Sequence, residues 1–586
     1  MSTAETVDRP VTLEHLNQHR NIKSARIVSL LHEDILTLVF SGFDTSLPAG
    51  RATCARSALV CRTWADPASK ALWRSLRSLL PLYGIFLSVP QVIRTTYIGS
   101  FHGSHVPVSY IEYIGEVMKT RPFDDPVVWS SFLRCASRIR HLIDWDPGFD
   151  IRIFRALCHH NGGNTILPLL KSLSWADAEE ARSDEALSLL APPSLQHLSY
   201  HINSVTSIQF VGSTLTSILP KAPFLSSLKI LVDTRSTERL PLLPFLSRFQ
   251  RLRHLSLLGW QVITPSSLVG FSSFPMLEHL ACHVEGFEAR EDTQYSFDVP
   301  NLRVLKLTGT GTDMRGLLQT LRAPRMQDLV LAAREKRADH GRDAHRDLFR
   351  DMPTAPFARS LQRFTYNSGP TDCAPPPNRV HPNRTSLLDL IHPLLTLRQL
   401  RQVSIVFQWE ETALKDDEVL AIAEAWRDVE QLMLAMLERY REPPADRSQR
   451  PTPLSLSHLH RLCPNLSFLA LPIDMETSDA TVPSDDIEEQ NPQPHRLKRL
   501  DILGYRSFTT PQDDLEAFAR YLSRSFPDLE PCVPFTISMD PWENMWSKLR
   551  SLRESRPVHV VESQQEHATS SIHVSSLSAA HPGVHI

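Results

Sequence analysis

Several signatures of catalysis are missing from this chain of 586 residues. The sequence contains no Gly-x-x-x-x-Gly-Lys-Ser/Thr loop, no Gly-x-Gly-x-x-Gly turn, no Gly-x-Ser-x-Gly elbow and no His-Glu-x-x-His helix. Cys158-His159-His160 is the densest run of metal-ligand residue types, but adjacent residues on one helix or strand do not converge on a single ion. We therefore expect a non-catalytic protein with no metal and no cofactor.

An excess of positive charge is also missing. The chain has 62 Lys and Arg against 65 Asp and Glu, a formal net charge of -3. Binding to nucleic acid or to an anionic membrane needs a basic patch or stripe, so neither partner is expected. No apolar run reaches about 18 residues, the length that suggests a membrane span.

Targeting and disulfide signals are absent too. The first 30 residues carry charges throughout and lack the apolar core of a secretory signal. The eight cysteines are scattered without a Cys-x-x-Cys spacing, as expected for reduced thiols of an intracellular protein. The predicted location is the cytoplasm, the nucleus or both.

Three short helices are predicted between residues 28 and 76. The first has one apolar face and stops at Ser41-Gly42. The second covers about 53–64, and the third begins at Asp66-Pro67, a favourable N-cap and first helical position. This small module carries more large apolar groups than its core can hide, which is typical of a partner-binding patch. On spacing alone, Trp64 and Trp73 fit the core of a larger helical domain equally well.

The same segment contains Leu31, Glu33-Asp34-Ile35-Leu36, Val39-Phe40, Val60-Cys61-Arg62-Thr63-Trp64 and Leu72-Trp73-Arg74. In order and spacing this pattern resembles an F-box. The family pattern is Leu-Pro-x-Glu-Ile-Leu-x-x-Ile-Phe, a spacer, Val-Cys-x-x-Trp and then Leu-Trp, and this chain departs from it with His32 in the proline position, Asp34 before Ile35 and a longer spacer. The resemblance implies that the module binds a Skp-type adaptor, which joins it to a cullin–RING ubiquitin ligase. The resemblance does not separate residues of the F-box core from residues that contact the adaptor. Together, these residues are Leu31, Ile35, Leu36, Val39, Phe40, Leu59, Val60, Trp64, Leu72 and Trp73.

From residue 166 onward the pattern Leu-x-x-Leu-x-Leu recurs in degenerate form. Between Leu170 and Met326 its first positions are 25, 30, 27, 25, 25 and 24 residues apart. These steps lie in or near the period of leucine-rich repeats, about 20–29 residues. Alternate side chains of each strand point into and out of such an array, and stacked repeats bury a core that one repeat cannot. A protein substrate is expected on the outward positions, with His254, Ser256, Val304 and Lys306 as candidates.

The repeat period breaks after Met326, where long insertions are predicted. One is charged (334–347), one is proline-rich (374–382), one holds a helix from Asp416 to Tyr440, and one is acidic (476–494). The predicted domains are a disordered tail (1–24), the F-box-like module (25–80), a helical linker (81–165), the degenerate leucine-rich-repeat domain (166–535), and a short helix with a disordered tail (536–586).

The predicted fold class is an α/β or α+β solenoid: a three-helix F-box-like module followed by an irregular leucine-rich-repeat horseshoe. The predicted function is recognition of a protein substrate, of unknown identity, for a Skp–cullin–F-box ubiquitin ligase. One alternative is a repeat scaffold whose helices only cap the solenoid, since a solenoid end needs a cap. Another is an enzyme with a diffuse site, which a deep polar pocket with converging titratable groups would reveal.

Overall fold

The computed structural model describes most of the chain in fifteen stretches. They are residues 32–45, 47–86, 122–145, 151–176, 183–202, 205–232, 243–287, 297–334, 341–368, 385–407, 412–436, 450–474, 495–503, 512–530 and 540–554. Predictions for Leu31, the two terminal tails, the proline-rich insertion and the acidic insertion lie outside these residues.

One long parallel sheet organises the described residues. Its fourteen strands follow each other in chain order, so each strand pairs with the strands of the repeats before and after it. They are β1 Ser75–Leu76, β2 His141–Trp145, β3 Ser172–Ala176, β4 His197–Ile202, β5 Ser227–Val232, β6 His254–Ile263, β7 His279–Val284, β8 Val304–Gly309, β9 Asp328–Ala333, β10 Arg363–Ser368, β11 Gln402–Phe407, β12 Gln431–Met436, β13 Phe468–Leu471 and β14 Arg499–Ile502. Two further strand pairs are short: Phe297–Asp298 with Leu321–Arg322, and Thr385–Ser386 with Thr412–Ala413. Parallel strands in chain order with helical crossovers are the arrangement of an α/β solenoid.

Helices connect the strands and cover one face of the sheet. The α-helices are α1 Glu33–Ser41, α2 Pro48–Ser57, α3 Arg62–Arg74, α4 Leu80–Tyr83, α5 Pro126–Ala136, α6 Ile151–His160, α7 Ser183–Leu190, α8 Val205–Ile218, α9 Leu243–Leu246, α10 Gly311–Thr320, α11 Gly341–Asp351, α12 Leu387–Ile391, α13 Asp416–Ala425, α14 Leu454–Leu462, α15 Gln512–Ser525 and α16 Asp540–Glu554. Short 3₁₀ segments occur at Pro122–Asp124, Pro265–Ser273, Met352–Thr354 and His392–Thr396.

The core lies between these helices and the sheet. Along β4, for example, exposed or half-buried residues alternate with buried ones, and Leu198 and Tyr200 point inward. The first leucine of each repeat is buried in the same continuous cluster, as Leu195 and Leu225 illustrate. Repeating inward leucines therefore build one core along the whole array, as the repeat pattern predicts.

The sheet begins earlier than the predicted repeats. The segment 81–165, predicted to be a helical linker, contains β2, which pairs with β1 on one side and β3 on the other. The repeat was missed because Ile139 occupies the position of the first leucine and Asp144 that of the last, although Ile139 is fully buried like the leucines it replaces. The prediction of an irregular helical segment is therefore wrong at this strand.

A second repeat was missed in the C-terminal half. The helix predicted from Asp416 to Tyr440 ends at Ala425, and strand Gln431–Met436 follows it. Val429 takes the place of the first leucine and is buried, while Leu432 and Leu434 fill the inward strand positions. β-branched apolar residues serve the inward positions as well as leucine does, so a search for leucine alone undercounts the repeats.

The helices of the N-terminal module are present, but two of their boundaries differ from the predictions. The second helix is Pro48–Ser57, with Pro48 at its start, and the third already begins at Arg62. Pro67 therefore lies inside the third helix rather than at its first position. A proline inside a helix loses one backbone hydrogen bond; Pro67 is buried with Ala68 and Ala71, and this packing offsets part of the cost.

Candidate functional site

The three-helix module has a very small core of its own. Leu36, Phe40, Cys54, Ala68 and Ala71 form a cluster that is separate from the main core. Helix α1 contributes only two of these residues, because only the turn-spaced pair Leu36 and Phe40 faces α3. The Trp64 ring packs edge-on against Phe40, with 5.7 Å between ring centroids.

The other apolar residues of the module face solvent. On α1, Leu38 is 74% exposed and Val39 is 52% exposed, and Ile35 lies one turn earlier on the same side of the helix. The turn between α2 and α3 exposes Leu59 (87%) and Val60 (65%). Seven of the twelve large apolar side chains that are exposed in the described residues fall between residues 35 and 60. This clustering of large exposed apolar groups is typical of a surface that another molecule covers.

The structure separates the residues that the F-box resemblance had grouped together. Leu36 and Phe40 are core residues, and Trp64 and Leu72 are half-buried against them. Ile35, Val39, Leu59 and Val60 are exposed. Trp73 belongs to neither group, because it packs against the main core of the solenoid. The prediction omitted Leu38 and Leu47, although both are more than half exposed; the i, i+3, i+4 spacing of Ile35, Leu38 and Val39 was the available signal.

The module is joined directly to the sheet. Helix α3 ends at Arg74 and β1 begins at the next residue, Ser75. Arg138, after helix α5, donates hydrogen bonds to Asp66 and Ser69 of α3. Lys70 also forms ion pairs with Asp66 at 2.8 Å and with Glu33 of α1 at 2.9 Å. The hydrogen bond from Lys70, with the nearby charge of Arg138, lowers the pKa of Asp66.

The second candidate surface is the face of the sheet opposite the helices, which we call the open face. In the six-residue strands it is formed by the first, third and fifth positions, as the alternating burial along β7 illustrates. The predicted residues His254 and Val304 are first positions, and Ser256 and Lys306 are third positions. They form two rows with His279 and Ala281 between them. Val304 is 8% exposed, so it offers a partner little surface.

Histidines recur along the first row of the open face. His141, His197, His254 and His279 all occupy first strand positions. The rings of His254 and His279 are neighbours, with 4.4 Å between centroids. Burial lowers the pKa of His279 to about 4, and the neighbouring His254 adds to the effect. Burial also lowers the pKa of His141 and His197, so the rings of His141, His197 and His279 are uncharged at neutral pH.

The two ends of the open face differ in character. Strands β3 to β8 contain no Asp or Glu, and Lys229 and Lys306 are exposed on them. Toward the C-terminus, Val406, Met433 and Phe468 pack against a small apolar cluster of Ala435, Ala470 and Leu503. Lys229 was not predicted, although it occupies the same strand position as Ser256 and Lys306, and this register is the signal that could have found it.

A polar groove lies at the edge of the sheet, beside the start of strands β9 to β12. It has a volume of about 550 Å³ and is lined by polar and charged residues, among them Gln327, Gln362, Arg401 and Glu430. Arg401 and Glu430 form an ion pair at 3.2 Å. In the ranges that the structure describes, no three His, Cys, Asp or Glu side chains come together to hold a metal ion. None of the helices in these ranges has the length and apolar character to cross a membrane.

Comparison with known proteins adds little to this geometry. No protein-family model matches the chain, and no curated protein matches it in sequence. Among solved structures, a crystal structure of a Rad7 and Elc1 complex in yeast is similar at 15% identity and a TM-score of 0.32, covering 70% of this chain and 96% of that chain. A likeness at this level carries no argument about function.

Proposed function

We propose that this chain is the substrate receptor of a Skp–cullin–F-box type of ubiquitin ligase, acting in the cytoplasm, the nucleus or both. The three-helix module binds a Skp-type adaptor, and the solenoid binds a protein substrate. The chain itself has no catalytic residue in this proposal, because the other subunits of the ligase transfer ubiquitin.

One observation supports adaptor binding above the others: the outward face of the module is apolar. Ile35, Leu38 and Val39 follow one side of α1, and Leu59 and Val60 follow in the turn before α3. Burying one such side chain is worth about 1.5–3 kcal/mol. A free protein gains nothing from exposing several of them together, whereas a protein that docks on an adaptor recovers this free energy on binding.

A repeat scaffold with a helical cap is the second candidate, and the direct join between module and sheet favours it. Helix α3 runs into β1, and Trp73 packs against the solenoid core. A cap needs apolar residues only on the side that meets the solenoid. The exposed Leu38 and Leu59 are therefore the residues on which the two candidates differ.

The deciding experiment is size-exclusion chromatography of the full chain with a purified Skp-type adaptor. We expect the two proteins to elute together, and we expect Leu38→Asp to weaken this complex, so that the two proteins separate at concentrations where the unchanged chain still elutes with the adaptor. Leu38 is 74% exposed, so the change leaves the module folded. Loss of a central apolar contact weakens an interface by about 2 kcal/mol or more, which is about thirtyfold in affinity.

Val127→Asp is the matched control. Val127 is 71% exposed, on helix α5 outside the module, so its replacement should leave the complex intact. If the unchanged chain and the adaptor elute separately at every concentration tested, the receptor proposal fails and the capped scaffold remains.

A further inference from the structure

A hydrogen-bonded turn precedes most strands of the long sheet. In this turn the amide of the first leucine of the repeat donates to the carbonyl three residues earlier, as Leu277 does to Phe274 at 3.1 Å. The second residue of the turn is often proline, as in Pro275 and Pro300, because proline is pre-organised for that position. The turns form a row along the edge of the sheet at which the strands begin.

Three consecutive repeats carry arginine in place of this proline. Arg359, Arg398 and Arg427 each stand two residues before the first apolar residue of their repeat, and four residues before the start of β10, β11 and β12. These strands pair in register, so the three arginines lie side by side along the edge, about 4.8 Å apart at the backbone. We call these three residues the arginine row.

The arginine row keeps an excess of positive charge. All three side chains are exposed, and in the part of the chain that the structure describes none of them forms a hydrogen bond or an ion pair. On the same stretch of edge, Glu430 is already paired with Arg401 at 3.2 Å. Asp428 is the one acidic residue that directly follows an arginine of the row. Three guanidinium groups are therefore available to an anionic partner.

A strongly acidic segment of the same chain returns to this edge beside the row. Residues 475–494 contain six Asp and Glu and no Lys or Arg. The described chain resumes at His495, whose Nε2 atom lies 2.8 Å from the carbonyl oxygen of Cys463. Cys463 belongs to the turn of the repeat after Arg427, and its Sγ atom lies 3.7 Å from the carbonyl oxygen of Trp426. The acidic segment therefore meets the edge about two strand spacings, or about 10 Å, from the nearest arginine.

The acidic segment is long enough to follow the whole arginine row. The far end of the row lies about four strand spacings from His495, which is about 20 Å. An extended chain advances about 3.3 Å per residue, so Glu489 can reach about 20 Å from His495 and Asp485 about 33 Å. The carboxylates of Asp485, Asp486, Glu488 and Glu489 can therefore all reach the row.

We propose that the arginine row is the docking surface for residues 485–489 of the same chain. Guanidinium groups bind carboxylates through paired N–H donors, and four carboxylates meet three guanidinium groups here. A tethered segment has an effective concentration of about 1 mM, with which an acidic segment of another protein must compete. Docking also neutralises a surface that would otherwise attract nucleic acid without sequence specificity. This inference does not depend on adaptor binding.

The test measures how fast a glutamate-specific protease cuts the full chain after Glu488 and Glu489, with mass spectrometry as the readout. Cleavage after Glu562, near the C-terminal end, is the internal reference. Arg398→Gln combined with Arg427→Gln should speed the first cleavage about fivefold relative to the reference, because two exposed ion pairs are lost. In 1 M salt, where the Debye length is about 3 Å, this difference should disappear.

Arg303→Gln combined with Arg322→Gln is the matched control. Both residues are exposed arginines of earlier repeats, and the change removes the same amount of charge. The control should leave the cleavage rate unaltered. Asp485→Asn combined with Asp486→Asn should speed cleavage as the arginine variant does. Joining these two sets of changes should add little, because the two sets remove the same interaction.

Unaltered cleavage in the arginine variant, an equal effect of the control, or full additivity of the arginine and aspartate changes would each overturn the proposal. A second measurement uses fluorescence anisotropy of a labelled glutamate-rich peptide and of a labelled single-stranded oligonucleotide, each mixed with the full chain. Neither probe should bind at micromolar concentration, since the row is occupied. Binding of either probe that the arginine variant loses would assign the row to an external partner and overturn the proposal.

Discussion

Replacing Phe40 by alanine should unfold the N-terminal module while the solenoid stays folded. Phe40 is 3% exposed and is one of only five buried apolar residues of the module core. Truncating a buried phenylalanine to alanine costs about 3–5 kcal/mol, the sum of lost transfer free energy and the cavity left behind. A module of this size has a stability of only a few kcal/mol, so the loss is comparable to all of it.

Leu38→Ala is the matched change on the same helix. Because Leu38 is 74% exposed, we expect it to alter the free energy of unfolding by about 0.5 kcal/mol or less. Two residues only half a turn apart should therefore differ by several kcal/mol. This contrast follows from the burial of α1 and could not be obtained from its hydrophobicity, since both residues are large and apolar.

Amide hydrogen exchange on the full chain measures both effects. In Phe40→Ala, the amides of Glu33–Ser41 and Arg62–Arg74 should lose protection, while those of β7 and β8 keep it. In Leu38→Ala, protection should be unchanged throughout. Equal loss of protection in the two variants would refute the division of the module into a core side and an outward side.

Three further predictions follow from local geometry. His32 has φ = -66°, a value that proline also adopts. His32→Pro should therefore raise the melting temperature of the module and strengthen adaptor binding. A fall in either quantity would mean that the N–H group or the ring of His32 is needed. Burial lowers the pKa of His345 to about 4, below its unfolded value of about 6.5, so the native state favours the neutral ring and stability is lost as pH falls from 6.5 toward 4. This loss is about 2 kcal/mol at pH 5. The change in the free energy of unfolding between pH 7.5 and pH 5, measured with guanidinium, should be smaller in His345→Gln than in the unchanged chain, and glutamine keeps an acceptor for the Tyr366 hydroxyl. An equal change in the two proteins would contradict the assignment to His345. Arg138→Met should speed hydrogen exchange in α3 by about fivefold, because it removes the partly exposed ion pair with Asp66, which is worth about 1 kcal/mol. Unchanged exchange would show that this contact does not hold the module to the solenoid.

Much of the fold is predictable from the sequence because inward strand positions must be apolar at a regular spacing. The repeats with leucine at the first position, such as those at Leu252 and Leu277, appear where the pattern predicts them. The repeats at Ile139 and Val429 were missed because the physical requirement is an apolar side chain of suitable size and not leucine itself. A search that admits Val at the first position would recover the repeat at Val429, whereas the repeat at Ile139 also has Asp144 in the place of its last leucine.

The candidate surfaces were predictable only in part. The sequence of α1 indicates an apolar face with further apolar residues beside it, but it cannot tell which of these residues meet α3, because this depends on the packing of helices that are distant in sequence. Leu36 and Leu38 are chemically identical and have opposite environments. On the open face, Ser256 was predicted but its register partner Lys229 was not, because the two residues belong to different repeats and only the register of the strands unites them.

The most direct measurement is a hydrogen-exchange footprint of the full chain with and without saturating Skp-type adaptor. The account predicts that the adaptor slows exchange in α1 and in the turn that holds Leu59 and Val60, and leaves the open face of β3 to β8 unchanged. Absence of any protection, or protection confined to the open face, would contradict the claim that the exposed apolar side of the module is an adaptor-binding surface.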